Sequence, residues 1–465
     1  MTTVLPWITR RPGAPYFTDE HGAPWTPIGQ NDSISWVEFD GLHDRRDLPG
    51  VARHLRWLLE HGVTCLRLML EYAETGRHFI EQPAGQFNPA MVQVWDDLFQ
   101  LCETAGMRIL LTPFDTYFHW VRWDLHPYNA ANGGPCSDRT RLLVCPDTRV
   151  AIKARLRFAA ERWGGSGALF AWDLWNEMHP VQGDNVYTCF GDYIDDVGPF
   201  LREVERAAHG RDHLQCVSVF GPELGWKPWL NEPIFRHPAL DFANSHFYEE
   251  GTIDAPTDTV APALAVGRLM REALDEITDQ RPFFDTEHGP ICTFKDDGVT
   301  LPEAFDDEYF RHIQWVHLAC GGAGGGMRWP NRNPHALTPG MRRAQLALSG
   351  FLLLIDWTRF DRRPLDSLEP SDPDVACFGC GDSAQAVLYL LRRRPLSPDG
   401  RVDSGSGGPV SVQVTGLAEG RYRVRIWDTR SGHEAGTLLA ETRDGALPVS
   451  LPALGTDAAL AVQRA

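Results

Sequence analysis

No apolar run in this chain of 465 residues approaches the ~20 residues that a membrane-crossing helix needs. The longest candidate, Phe351-Leu352-Leu353-Leu354-Ile355, is far too short. Positive charge is also scarce: Lys plus Arg number 44 against 62 Asp plus Glu, a formal net charge of -18. Polyanions are repelled on average, so neither nucleic acid nor a membrane is an expected partner. The opening MTTVLPWITRRPGAPYF lacks an apolar segment followed by a small-residue cleavage site. That sets the expectation of a cytoplasmic protein, or of a secreted one whose signal has been removed. The ten cysteines stand at uneven spacings, which reads as free buried thiols rather than a disulfide framework. Cys136 and Cys145 flank a polar loop and are placed to pair. Cys377-x-x-Cys380 has no second pair nearby, so no zinc site is expected. Gly321–Gly326 reads GGAGGG, but no Lys-Ser or Lys-Thr follows it, so tight packing explains it better than phosphate binding.

What is present is alternation. Short runs rich in Val, Ile, Leu and Phe fall near Pro27–Asn31, Thr64–Leu70, Met107–Phe114, Leu169–Glu177, Leu214–Gly221, Asp241–Tyr248, Arg281–Glu287 and Gly324–Trp329. Between them lie helical periods. One, capped by Asp47 with Pro49 in its first turn, presents Val51, Leu55, Leu58 and Leu59 on one face. Another is capped by Asn88 and stopped near Gly106, with Val92, Trp95, Leu98 and Leu101 facing inward. Further helices are expected at about Arg149–Trp163, Asp192–Ala208, Val260–Ile277, Ala304–Leu318 and Met341–Ile355. Trp7, Trp25, Trp57, Trp95 and Trp163 read as core or barrel-base residues. Eight such repeats predict a closed (β/α)8 barrel over residues 1–363. An open doubly wound sheet should carry a Gly-rich phosphate loop after its first strand, and none is present. After about Arg363 the pattern changes to short alternating strands with Gly- and Ser-rich turns. Residues 364–465 therefore read as an antiparallel β-sandwich, with one face buried against the barrel.

In such a barrel, function gathers at the C-terminal ends of the strands. Those ends carry Asn31, Arg67, Glu71, Asp115, Asn176 and Glu177, His246 and Tyr248, Glu287, and Trp329. Glu177 and Glu287 sit at the ends of strands four and seven, where they can face each other across the mouth. Two carboxyl groups ~5–5.5 Å apart suit a double displacement at a sugar anomeric carbon. One must hold a proton and the other must be ionised, so their surroundings must push the two pKa values apart. Arg67 by charge and Tyr248 by hydrogen bonding favour an ionised Glu287. Asn176 is placed for a sugar 2-hydroxyl. Sixteen tryptophans supply flat apolar faces for pyranose rings, and Trp36, Trp120, Trp123 and Trp329 fall on loops or strand ends. Asp173 and Asp285 precede the two glutamates by an even number of residues, so they share strand faces with them and are rival carboxylates. Glu71 and Asp115 read equally as sugar-binding groups or as loop ion-pair partners.

These residues resemble clan A glycoside hydrolases. Trp175-Asn176-Glu177 and Thr286-Glu287 match that clan's pattern after strands four and seven. His246-Phe247-Tyr248 resembles the His-x-Tyr signature of family 5. Arg67 in Leu66-Arg67-Leu68, Gly29-x-Asn31 and Trp329 resemble that family's strand-two, strand-one and strand-eight motifs. The resemblance covers roughly residues 20–360. It implies a retaining enzyme without metal or organic cofactor, acting on a carbohydrate substrate, with Glu177 as acid/base and Glu287 as nucleophile. It also implies that His246 and Tyr248 line the sugar site. Two departures concern the sugar: Asn176-Glu177 is followed by Met178-His179-Pro180 rather than proline, and Pro113-Phe114-Asp115 stands where many members carry histidines. The sequence alone leaves open exo action of β-mannosidase or β-glucosidase type, endo action of mannanase or cellulase type, and β-galactosidase or arabinofuranosidase activity. It also leaves open a non-catalytic carbohydrate-binding barrel.

Overall fold

The computed structural model describes residues 5–71, 79–220, 229, 231–291, 300–330, 332, 335–365 and 368–465. Eight parallel strands are present: β1 (Gly29–Asp32), β2 (Cys65–Met69), β3 (Arg108–Thr112), β4 (Leu169–Asp173), β5 (Leu214–Cys216), β6 (Ala243–Phe247), β7 (Phe283–His288) and β8 (Met327–Arg328). They form one sheet in the order β5-β4-β3-β2-β1-β8-β7-β6. Every residue of β2, β3 and β4 is buried. Strands covered on both faces need continuous apolar runs, which is why these segments do not alternate. The edges β5 and β6 meet through the Asp241 N–H to Gln215 O bond (2.8 Å), the His246 N–H to Val219 O bond (3.0 Å) and a parallel bridge between Phe220 and His246. The sheet is thereby rounded into a barrel.

Helices α1 (Leu48–Glu60), α2 (Pro89–Ala105), α3 (Pro146–Trp163), α4 (Cys189–His209), α5 (Asn231–Phe235), α6 (Ala261–Asp275), α7 (Glu303–Ala319) and α8 (Pro339–Leu352) follow the strands in turn. Their ends obey local chemistry. Asp47 accepts from the Gly50 N–H (2.9 Å) at the start of α1, and Asn88 accepts from the Ala90 N–H (3.1 Å) at the start of α2. Gly106 ends α2 at φ +94°, a conformation that glycine adopts without strain. On α1 the buried stripe is Val51, Leu55 and Leu58. Trp57 lies off that stripe and is 41% exposed, against the sequence expectation of a core residue. Its ring instead packs by His61 and under the Arg342 guanidinium.

A three-stranded antiparallel sheet (Ile8–Arg10, Phe17–Asp19, Pro24–Trp25) covers the N-terminal end of the barrel. The Phe17 ring sits 5.1, 5.4 and 6.2 Å from those of Phe170, Phe242 and Phe284. The sequence pattern signals no element there. With this end plugged, the C-terminal end is the mouth. Glycines admit the last strand: a Cβ on Gly324 (φ +125°) would lie 2.5 Å from the Pro27 carbonyl oxygen. That supports the packing explanation of the GGAGGG run.

The C-terminal region is a six-stranded antiparallel sheet facing a two-stranded one. In order, the six are Arg363–Pro364, Val375–Gly381, Gln385–Arg392, Asp457–Arg464, Arg421–Asp428 and His433–Glu441. The two are Val410–Thr415 and Ala446–Leu451. One face of the large sheet builds its own core with the small one, from Leu388, Leu390, Val412, Val449 and Leu460 among others. The other face packs on α7 and α8. Trp315 stacks near Tyr389, the Trp427 indole N–H donates to the Ala347 carbonyl (3.0 Å), and Arg311 pairs with Asp457 (3.0 Å). Burial on both faces explains why all of Gln385–Arg392 is buried. Cys136 and Cys145 are free thiols in side-chain contact with each other. No described helix is long and apolar enough to cross a membrane.

Candidate active site

Arg67, buried in the middle of β2, organises the mouth. Its Nη1 donates to Asn31 Oδ1 (2.8 Å) and Glu287 Oε2 (3.0 Å). Its Nη2 donates to Asp173 Oδ2 (2.9 Å) and to Asn176 Oδ1. A buried guanidinium is costly unless paired. Burial works against its charge here, but Asp173 and Glu287 outweigh it and hold its pKa above the ordinary value. One cation thus ties β1, β2, β4 and β7 to a common point.

Glu287 lies past an irregularity in β7. Asp285 pairs with Ser245 and Glu287 with His246, so Thr286 is an extra residue, a β-bulge. The bulge breaks the even-spacing argument that puts Asp285 on the face of Glu287. Asp285 accepts instead from the N–H groups of Glu287 (3.0 Å) and Phe247 (3.3 Å) and lies against His288 Nδ1 (2.6 Å). Asp173 does share the cluster, accepting from Arg67, from Ser218 Oγ (3.1 Å) and from Thr112 Oγ1 (3.4 Å). The Tyr248 O–H donates to Glu287 Oε1 (2.7 Å). Burial pushes the Glu287 carboxyl up, Glu177 adds to this, and His246, Arg67 and Tyr248 pull it back.

Glu177 follows β4, where Asn176 still bridges to Asp115 on the neighbouring strand end. Its backbone is left-handed, φ +50°, a rare and strained state for a non-glycine residue. The Glu177 N–H is held by Ser218 Oγ (3.0 Å) and the Met178 N–H by the Ser218 carbonyl (2.9 Å). Burial, the largest cause, raises the Glu177 carboxyl from 4.5 to about 7, although its side chain keeps 19% of its exposure. His246 joins the pair: its Nδ1 lies 2.8 Å from Glu177 Oε1 and 3.5 Å from Glu287 Oε2. One oxygen of each glutamate lies within 4.8 Å of the other. The two carboxyls therefore face each other at close range across the mouth.

The remaining sequence-selected residues divide into two sets. Asn31, Asp115 and Asn176 are buried beneath the mouth. Asn31 donates to the Thr286 carbonyl (2.8 Å) while accepting from Arg67, so it orients the arginine rather than facing the opening. Asp115 accepts from the Phe118 N–H (2.8 Å) and from Asn176 Nδ2, so both of its oxygens are engaged within the protein. Its burial lifts its pKa to about 8. These contacts engage Asn31 and Asp115 within the protein. Asn176, with its oxygen taken by Arg67, keeps a second amide hydrogen beyond the one given to Asp115. Trp329 stands at the rim, its ring edge-on to Trp36 at 5.8 Å, with Met69 and Phe118 behind. Trp123 lies half-buried on the β3–α3 loop against His126 (6.0 Å), and no described contact ties it to the glutamates. Trp120, in the same loop, lies under the Arg139 guanidinium (3.7 Å).

Glu71 takes the ion-pair reading. It pairs with Arg155, which also holds Glu81, and it lies 3.2 Å from His126 Nε2. Glu71, His119 and His126 are close enough together to hold a cation. However, His126 Nδ1 already accepts from the Tyr128 N–H (3.1 Å), so Nε2 carries the hydrogen that faces Glu71. With the Arg155 cation also on Glu71, the set works as a buried ion-pair network behind the mouth. Ser218 and Thr286 are the polar residues that sequence reasoning misses. The available signal was a small hydroxyl residue within an apolar strand end, Val217-Ser218-Val219 and Asp285-Thr286-Glu287.

The barrel thus carries one glutamate after β4, a second near the end of β7, and an arginine that reaches the second. No family model matches the chain. A stretch of 140 residues is 27% identical to the probable mannan endo-1,4-beta-mannosidase A-1 of Aspergillus terreus (strain NIH 2624 / FGSC A1156). That match covers 29% of this chain and 32% of the relative, so the chain aligns with about a third of the curated protein. The fold is similar to a glycoside hydrolase family 5 protein from Bacteroides vulgatus ATCC 8482, with TM-score 0.60 and 12% identity over 99% of this chain and 94% of that one. It is also similar to the glycoside hydrolase family 5 mannosidase of Rhizomucor miehei, with TM-score 0.50 and 15% identity over 71% and 86%. The fold is that of these family 5 glycoside hydrolases.

Proposed function

We propose that the protein is a retaining β-glycosidase acting through a covalent glycosyl-enzyme, with β-mannosides as its first substrates to test. The observation that carries this reading is the pair Glu177 and Glu287, with one oxygen of each within 4.8 Å of the other and with Arg67 and Tyr248 donating to Glu287. Glu177, raised to about 7 by burial, holds a proton near neutrality and gives it to the leaving oxygen. Glu287, held by Arg67 and Tyr248, attacks the anomeric carbon as the bond to that oxygen breaks. Glu177, now ionised, takes a proton from the water that attacks the same carbon and releases Glu287. The free Asn176 amide hydrogen meets the sugar 2-hydroxyl, and Trp36 and Trp329 wall the sugar site.

The likeness to a mannosidase and to a segment of a mannan endo-mannosidase supports mannose as the sugar. The long β3–α3 connection, which carries the helix Thr116–Val121 beside the mouth, supports exo action on short oligosaccharides. The mannan endo-mannosidase match favours endo action as a second reading. The test is incubation with 2-deoxy-2-fluoro β-glycosides and mapping of the labelled peptide. Fluorine slows breakdown of the glycosyl-enzyme, so the nucleophile stays tagged. The expected result is a tag on Glu287, fastest with the manno sugar. A tag on Asp285 or Glu71 overturns the assignment. Sugar binding with neither tag nor hydrolysis makes the barrel a carbohydrate-binding protein.

A further inference from the structure

The His246 ring is gripped on both nitrogens, and the grip has a direction. Its Nε2 lies 3.1 Å from Thr286 Oγ1. That hydroxyl spends its single proton on Asn244 Oδ1, at 2.5 Å. The Asn244 amide is oriented by its other end, where Nδ2 donates to Cys216 Sγ (3.6 Å). With its proton committed, Thr286 Oγ1 is an acceptor toward His246, so Nε2 must carry the ring hydrogen. A neutral imidazole has one N–H and one lone pair. The lone pair is then on Nδ1, which faces Glu177 Oε1 at 2.8 Å and Glu287 Oε2 at 3.5 Å. A lone pair 2.8 Å from a carboxyl oxygen is favourable only if that oxygen bears hydrogen.

Resting on the glycosidase reading above, we infer that Thr286 and Asn244 are positioning residues. They fix His246 as its Nε2–H tautomer, so that Nδ1 accepts the proton of Glu177 and the two glutamates are told apart. The chain of donors runs from Glu177 Oε1–H to His246 Nδ1, from His246 Nε2–H to Thr286 Oγ1, and from Thr286 Oγ1–H to Asn244 Oδ1. Around it, Arg67 and His179 favour an ionised Glu177, and burial and Asp173 outweigh them. Arg67 and the Tyr248 O–H both face Glu287 and favour its ionised form. Asp173 lies on the Arg67 side and disfavours a second negative charge at Glu177. Burial keeps His246 neutral by lowering its pKa to about 4. After proton transfer to the leaving oxygen, the Nδ1 lone pair faces an ionised Glu177. That makes Glu177 the stronger base for the water step.

The bulge in β7 makes this possible. The extra residue it inserts is Thr286, whose hydroxyl thereby reaches both β6 partners, Asn244 and His246.

The test compares Thr286→Val, which removes the hydroxyl at nearly constant volume, with Thr286→Ser, which keeps it. In Thr286→Val the ring is free to adopt the Nδ1–H tautomer and to donate to the carboxylates. The alkaline limb of kcat/KM is expected to move down by about one pH unit, since a hydrogen bond to the charged form favours ionisation. Thr286→Ser is expected to keep the wild-type limb. A Thr286→Val limb equal to the wild type, whatever its fall in kcat, overturns the inference. Neutron diffraction of the perdeuterated wild type reads the tautomer without any activity. Deuterium on His246 Nε2 and Glu177 Oε1 supports the inference, and deuterium on Nδ1 overturns it. A protein that cleaves no glycoside yet shows the Nε2–D tautomer fails the functional reading alone.

Discussion

Arg67 and Glu287 stand 220 residues apart in the chain and 3.0 Å apart in the fold, Nη1 to Oε2. The arginine also serves Asn31, Asp173 and Asn176, so its planar fork makes four bonds that a lysine ammonium cannot reproduce. Arg67→Lys is therefore expected to lower kcat on aryl β-glycosides by at least ~100-fold, the cost of a displaced nucleophile. Arg67→Met leaves Asp173 and Glu287 without their cation. It is expected to cost about 3–5 kcal/mol of stability, as for a buried pair that loses one partner. Denaturant unfolding checks this, and a midpoint equal to the wild type contradicts it.

The pH behaviour follows from Glu177. Activity is expected to fall as pH rises through about 7, where the proposed acid loses its proton. The sign for stability is the same. The folded carboxyl binds its proton more tightly than the ordinary value of 4.5, so its contribution is complete below about pH 4.5 and is lost as pH rises through about 7. Asp115 and Asp32, raised by burial to about 8 and about 7, act in the same direction. Glu177→Gln, which cannot ionise, is expected to melt above the wild type at pH 8 and level with it at pH 4. Thermal scans at the two pH values decide the matter.

Ser218 holds the strained backbone of Glu177 through one hydroxyl. Ser218→Ala removes that acceptor and lets the glutamate relax from φ +50°. A misplaced acid matters most when the leaving group needs a proton. The variant is expected to lose roughly tenfold or more on an alkyl β-glycoside, within the usual range for general acid catalysis, and little on a dinitrophenyl one. Equal losses on both substrates would mean that Ser218 serves only folding.

The C-terminal sheet buries Tyr389 and Trp427 against α7 and α8. A chain ending near Arg363 exposes that apolar face and also loses the Arg311–Asp457 pair. It is expected to aggregate on expression. A soluble, monodisperse and fully active truncation, checked by size-exclusion chromatography, would show that the two regions are independent.

Much of the barrel is legible in the linear chain. The strand runs are apolar because parallel strands are covered on both faces, and the caps Asp47 and Asn88 announce their helices by local hydrogen bonding. The two glutamates are legible for the same reason: each ends an apolar run where a solvated side chain is out of place. Trp57 is misread because a helical stripe two residues away decides which way it faces. The N-terminal sheet that plugs the barrel has strands of only two or three residues, too short to leave a period.

The sequence by itself determined the class of fold, the order of the strands and which carboxylates end them, because these depend on periodicity and on neighbours close in the chain. Only the tertiary structure decided how those carboxylates differ. The bulge at Thr286 depends on pairing with β6, and Ser218 meets Glu177 across 41 residues. The ionisation of each glutamate depends on burial and on Arg67, brought to both from β2. Proton affinity is set by the whole field around a group, and no local run of residues contains that field.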